Sequence, residues 1–383
     1  MGDQLKDNVK KEIEKNSEKI KEVSKRIHQN PELGFEEYKA QQWISEILNS
    51  FGFQVEKGLA DMETAIRAVH PEETKGPKIA ILGEYDALPD LGHACGHNLI
   101  AGAALGACIG LSPFKQDIPG RLEFLGTPAE ESEGGKVFMV DAGVFDDIDV
   151  AMMIHPSTET VAYSRSAASQ EVELRFQGKP THAAASPDKG TDPLKALIQT
   201  FVCVDTLRQH HPTDARIHGV ITKGGEKANM YPEEVVSRFT IRGTNNEKRD
   251  ALLKQLRDCG ESAARAAGAG FSFENANKGF QALMPNRKLA EKFADNLEEL
   301  GEKVEEGEDG MGTTDMGDVS QACAAIHPYL SISEDDISGH SHEFEEAAGS
   351  ERGLEAMITA AKALAMTAVD VALDKDFYNQ LKS

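Results

Sequence analysis

The sequence predicts an α/β fold: a mixed-sheet α/β domain with a ferredoxin-like βαββαβ unit inserted into it. Three observations predict this. At 383 residues the chain exceeds one ordinary hydrophobic core, so about two domains are expected. Up to about residue 165, candidate helices alternate with candidate strands. From residue 171 the rhythm becomes strand, helix, two strands, helix, strand, the order of a split ferredoxin-like unit. The expected division is 1–165, 166–281 and 282–383, with the first and last parts forming one domain.

In the first part, residues 6–28 read as a charged helix and 36–51 as a second. Strands are expected at 65–69, 78–82, 121–125 and 150–154. Residues 99–111, rich in Ala and Gly, read as a buried helix packed on the sheet. Open α/β sheets place their sites at strand carboxyl ends, which directs attention there. In the inserted unit, 171–177 alternates polar and apolar residues, and helix 192–208, strands 216–221 and 235–242, helix 246–267 and strand 271–274 follow. Helices 286–300, 314–325 and 350–372 with strand 329–332 return to the first domain, and 302–310 is an acidic loop.

Lys plus Arg is 41 and Asp plus Glu is 64, a net charge of −23. This argues against nucleic acid or an anionic membrane as partner. Five cysteines, an odd number without paired spacing, fit a reducing compartment, and Cys108, Cys203, Cys259 and Cys323 read as core residues. The first helix is charged rather than apolar, and 99–111 is too short to span a bilayer. A cytoplasmic protein is expected.

Residues 83–98, GEYDALPDLGHACGHN, place a carboxylate, a thiol and two imidazoles within a few positions of one strand end. Cys95 and His97, two apart in a Gly-containing turn, can face one ion. Thiolate with imidazole favours zinc or a similar divalent ion over calcium or magnesium. On this segment alone, a buried Cys with a capping His is an equal reading. A second strand end carries Glu130 and Glu131 in Pro-Ala-Glu-Glu. In extended chain successive side chains face opposite ways, so one of the pair can bind metal while the other faces substrate. His155-Pro156 ends a third strand, and His340-Ser341-His342-Glu343-Phe344 lies near the C-terminus.

With these motifs the sequence resembles the zinc-dependent aminoacylase/carboxypeptidase family of amidohydrolases. Its branch of aminobenzoyl-glutamate, indole-acetyl-amino-acid and Xaa-Arg dipeptide hydrolases is the nearest in pattern. DALP, HACGH, PAEE, the strand-end His-Pro, THAA, ANMYP, TDMGDVS and HSHEF occur in order across nearly the whole chain. The resemblance implies two divalent ions per subunit, zinc first, with manganese or cobalt as alternatives. Cys95 is implied as the bridging ligand, His97, Glu131, His155 and His340 as the others, with His342 the rival of His340. Glu130 is implied as the general base, and Asp86 as the carboxylate orienting a ligating imidazole. Glu84 departs from the His or Asp usual two residues before that Asp, and His93 is expected beside the site.

In the inserted unit, His182 matches a lid histidine that steadies the carbonyl oxygen at the neighbouring subunit's site. Asn229 and Arg242 match residues gripping the substrate carboxylate, for Arg bidentately. His28, His70, His210, His211, His218 and His327 have no partner motif. The implied reaction is hydrolysis of a small N-acyl amino acid or dipeptide by a homodimer. A non-catalytic metal-binding relative and a thiol hydrolase using Cys95 with His97 are the other readings. Intact Glu130 opposes the first, and sensitivity to a chelator would oppose the second.

Overall fold

The computed structural model describes residues 2–70, 75–210 and 214–382; His211 lies outside them. The chain divides into two compact units, Met1–Arg165 with Met284–Asp309 and Thr314–Ser383, and Ser166–Leu283 with Gly310–Thr313.

Unit 1 opens with α1 (Gly2–Lys15), α2 (Ser17–Gln29) and α3 (Tyr38–Ser50). The single helix expected at 6–28 is thus two, because Asn16 leaves helical geometry and its side chain bonds back to Glu12 O at 2.8 Å. Strands β1 (Gln54–Lys57), β2 (Ile66–Val69), β3 (Lys78–Glu84), β4 (Arg121–Thr127), β5 (Val150–Met152) and the later β11 (Ala324–Ile326) form one sheet. Its order is β1-β2-β4-β3-β5-β11. The β1–β2 and β2–β4 pairs are antiparallel and the rest parallel, so the sheet is mixed.

Register positions the site. Glu84 pairs with Thr127 where β3 and β4 end together, so the loops after them leave the sheet side by side. A small parallel pair, β6 (His155–Ser157) and β12 (Tyr329–Ser331), sets His155 beside Tyr329.

Helix α4 (His97–Leu111) is buried at every residue. Its glycines permit this, since a Cβ on Gly102 would lie 2.1 Å from Met357 Sδ and one on Gly110 2.3 Å from Ile13 Cγ1. Unit 1 is completed by α5 (Gly135–Asp141), α8 (Arg287–Glu299), α9 (Met316–Ala322), α10 (His342–Gly349), α11 (Glu351–Leu373) and α12 (Lys375–Leu381). The helix expected at 314–325 is shorter, because Cys323 turns extended and the chain joins β5 as β11. His97–Asp117 and α11 are long and apolar enough to cross a bilayer, yet 89% and 72% of their apolar windows are buried, as in core helices.

Unit 2 runs β7 (Ala168–Gln177), α6 (Pro193–Arg208), β8 (Ala215–Lys223), β9 (Glu234–Gly243), α7 (Asn246–Ala267) and β10 (Gly270–Asn275), the expected βαββαβ order. Its antiparallel sheet is ordered β10-β7-β9-β8. Alternate β7 residues, Val172, Leu174 and Phe176, pack with Leu197, Val204 and Leu256 of the helices. The unit's limits differ slightly from the expected 166–281. Ser166 bridges Leu283, and Ala167 N donates to Gly312 O at 2.9 Å, which brings Gly310–Thr313 into the unit. Cys203 and Cys259 form a disulfide with Cα atoms 6.0 Å apart, a correction to their reading as separate core thiols. Adjacent packing of α6 and α7 brings together positions 56 apart in sequence, which spacing alone does not reveal.

Candidate metal centre and active site

Asp86, just past β3, is the hinge of the site. Its Oδ1 accepts from His97 Nδ1 at 2.9 Å and its Oδ2 from the Glu131 amide at 2.9 Å. One buried carboxylate thereby orients an imidazole and ties together the loops that follow β3 and β4. His97 Nε2 then points away from Asp86, 3.3 Å from Glu84 Oε2 and 3.7 Å from Glu131 Oε1.

His155 is built the same way. Its Nδ1 donates to Pro156 O at 2.7 Å, which turns Nε2 toward Cys95 Sγ at 3.3 Å. His340, held in left-handed backbone at φ 60°, places Nε2 3.3 Å from Glu131 Oε1. His342 is instead an exposed first residue of α10.

Three overlapping donor sets result: Cys95, His97 and His155; Cys95, Glu131 and His340; His97, Glu130 and Glu131. Within each, the donor atoms all lie within 4.8 Å of one another. Cys95, His97 and Glu131 each belong to two of the three sets. Glu84 Oε2, His97 Nε2 and Glu131 Oε1 are buried without a hydrogen-bond partner, although buried polar atoms are normally paired. A soft-donor pocket with such orphaned atoms fits a divalent cation.

The buried groups also shift one another's pKa values. Burial pushes the Cys95 thiol up, a shift that a bound cation would oppose. Burial opposes charge on His97, but Asp86, Cys95 and Glu84 overcome it and hold its pKa well above the usual range. Burial, with the negative charges of Glu84 and Asp315 adding, pushes the Glu130 carboxyl well up.

Other residues sit here that sequence reasoning passed over. Lys136, fully buried, bonds Glu84 Oε1 at 2.5 Å and Asp315 Oδ1 at 2.7 Å. Glu37, equally buried, accepts from the Ala129 amide at 2.8 Å. His327 lies 5.4 Å from His155, ring centre to ring centre, and burial lowers its pKa to about 3. His93, which was expected beside the site from the sequence, is buried with its ring 6.2 Å from His28. Among these, only the Thr-Asp-Met motif at 314–316, which carries Asp315, gave a visible signal.

In unit 2, His182 stands on an exposed loop where its Nδ1 accepts from the amides of Ala184 and Ala185 at 3.3 and 3.2 Å. Asn229 Nδ2 lies 3.4 Å from His182 Nε2, so these two form a pair. Arg242 is within β9, and its Nη1 donates to Met311 O at 2.7 Å.

Comparison with known proteins extends these findings. The mouse Xaa-Arg dipeptidase is 36% identical over 387 aligned residues, covering 96% of this chain and 89% of that protein. One of the subunits of the p-aminobenzoyl-glutamate hydrolase of Escherichia coli is 30% identical, covering 76% of this chain and 64% of its own length. A Bacillus subtilis protein described as a dinuclear metal binding peptidase of the M20 family superposes with a TM-score of 0.74 at 20% identity, covering 94% of this chain and 99% of that one. The model of peptidase family M20/M25/M40 matches residues 80–368. The chain is a hydrolase of amide bonds and belongs to peptidase family M20/M25/M40.

Proposed function

We propose that this amidohydrolase binds two divalent ions, zinc first, and cleaves a dipeptide of the Xaa-Arg kind. The convergence of the orphaned His97 and Glu131 atoms with Cys95, His155 and His340 carries the reading. Cys95 would bridge the ions, with His97, Glu131, His155 and His340 completing their shells. Bound there, the ions would polarise the scissile carbonyl and acidify a water. Glu130 takes a proton from the attacking water and delivers it to the leaving amine. Asp86 keeps the Nδ1 proton on His97, so that Nε2 keeps its lone pair for the metal side. His182 steadies the oxygen that gains charge, and Asn229 and Arg242 hold the substrate carboxylate.

The reading includes a cytoplasmic homodimer in which His182 serves the partner's site. In support, β8 is an edge strand with exposed Val220 and Ile221, and Ile198 and Val202 of α6 are exposed in the same unit. The test is a hydrolysis panel of Xaa-Arg dipeptides, aminobenzoyl-glutamate and N-acetyl-cysteine, before and after chelation and with zinc, manganese or cobalt restored. Cleavage that chelation abolishes and metal restores is expected, fastest on the Xaa-Arg dipeptides. Cleavage that survives chelation would contradict the metal reading.

A further inference from the structure

The turn that carries Glu130 and Glu131, and the start of α5 that follows it, are held from outside by three buried carboxylates, each reaching a main-chain amide from a distant part of unit 1. Glu37 Oε1 accepts from Ala129 N at 2.8 Å across 92 residues, Asp86 Oδ2 from Glu131 N at 2.9 Å across 45, and Asp315 Oδ2 from Lys136 N at 3.0 Å across 179. The turn needs holding. Ala129 sits at φ 61°, a left-handed conformation that costs a non-glycine residue energy and persists only where its surroundings impose it.

Each carboxylate is itself fixed. Glu37 Oε2 accepts from Thr64 Oγ1 at 2.7 Å, and Asp315 Oδ1 from Lys136 Nζ at 2.7 Å. The same ammonium reaches Glu84 at the end of β3. Glu37 and Asp315 are both 0% exposed. Burying carboxylates is costly, and apolar side chains would fill such space at lower cost, so packing alone does not account for them. What these two do that Leu could not is fix the amide before Glu130 and the amide of Lys136, where α5 leaves the turn.

We propose that Glu37 and Asp315 are positioning residues for amide hydrolysis, setting the turn so that the Glu130 carboxylate faces the reacting atoms. The proposal rests on Glu130 as the base. Misplacement of a reacting group by about an ångström costs ~100-fold in rate.

The test measures kcat, KM and metal content of the metal-loaded enzyme on a dipeptide that the wild type cleaves. Glu37→Leu should lower kcat ~100-fold with KM and metal content within about twofold of wild type. Glu37→Gln, whose amide oxygen still accepts from Ala129 N, should return kcat to within ~3-fold of wild type. Asp315→Asn keeps an acceptor for the Lys136 amide but loses its charge pair, and should lower kcat ~10-fold at unchanged KM. Wild-type kcat in Glu37→Leu, or equal loss in the Leu and Gln variants, overturns the proposal. Should Glu37→Leu fail to fold, wild-type kcat in Asp315→Asn overturns it instead. Glu130→Gln runs alongside: full activity there removes the base assignment itself, a separate failure.

Discussion

In unit 1 the candidate functional groups sit at buried strand ends, on loops with left-handed residues at Ala129 and His340, with orphaned polar atoms facing one another. In unit 2, His182 and Asn229 stand on two exposed loops, bonded to nearby amides and to each other. The difference separates two kinds of work. Buried, unpaired polar atoms cost free energy unless a cation fills the space between them, so their convergence in unit 1 fits a site for an ion. Exposed donors cost little and can await a substrate. Damage in unit 1 should therefore show in metal content or in the chemical step, and damage in unit 2 in rate alone.

The largest contrast is expected within unit 1. Glu130→Gln should keep two ions per chain and lose at least ~100-fold in rate, the scale of general acid–base catalysis. Glu131→Gln should lose metal first. Equal metal loss in the two variants, by elemental analysis, would reverse or erase the division of labour.

For unit 2, His182→Ala should lower kcat ~100-fold, the scale of a lost oxyanion donor, with metal content unchanged. Co-refolding it with Glu130→Gln at equal amounts makes half the dimers mixed, each with one intact site of two. About a quarter of wild-type activity should then return. No recovery in verified mixed dimers would mean that His182 serves its own chain or has no part in catalysis.

A smaller effect concerns stability and pH. Burial foremost, with Asp86's charge adding and the Thr64 bond opposing, lifts the Glu37 carboxyl from its ordinary 4.5 to about 7. Below 4.5 it is protonated in folded and unfolded chain alike, and its contribution is complete. As pH rises from 4.5 through 7 the unfolded chain releases the proton first, so the folded state loses stability, by up to ~3 kcal/mol. Urea unfolding across that window should show a shallower decline for Glu37→Gln than for wild type. Parallel curves would mean that Glu37 ionises normally.

The strong local patterns were legible. Strands β3 and β4 read as apolar runs ending in motif loops, and the βαββαβ order of unit 2 follows from its change of rhythm. Short elements escaped: β1 has 4 residues, β6 and β11 have 3 each, and their strand character comes from pairing with distant partners. Cys95, His97, Glu130, Glu131, His155 and His340 stood out within motifs, and the family resemblance rather than spacing joined them into one set, whose atoms the fold brings together. Glu37, Lys136 and His327 did not stand out. An acidic residue after Glu36 or a lone Lys in α5 looks like surface, and only folding across 92 or 179 residues buries Glu37 and Lys136 against their partners. Cys203 and Cys259 were missed for the same reason, since only the packing of α6 on α7 brings them together.

The most direct test of the central claim, that unit 1 is organised around metal with Cys95 as a shared ligand, is alkylation of Cys95 read by mass spectrometry. A bound ion holds the thiolate and shields it, so the loaded enzyme should leave Cys95 unlabelled, while chelated protein labels it slowly, at the rate its small thiolate fraction allows. Equal labelling with and without metal would contradict the account.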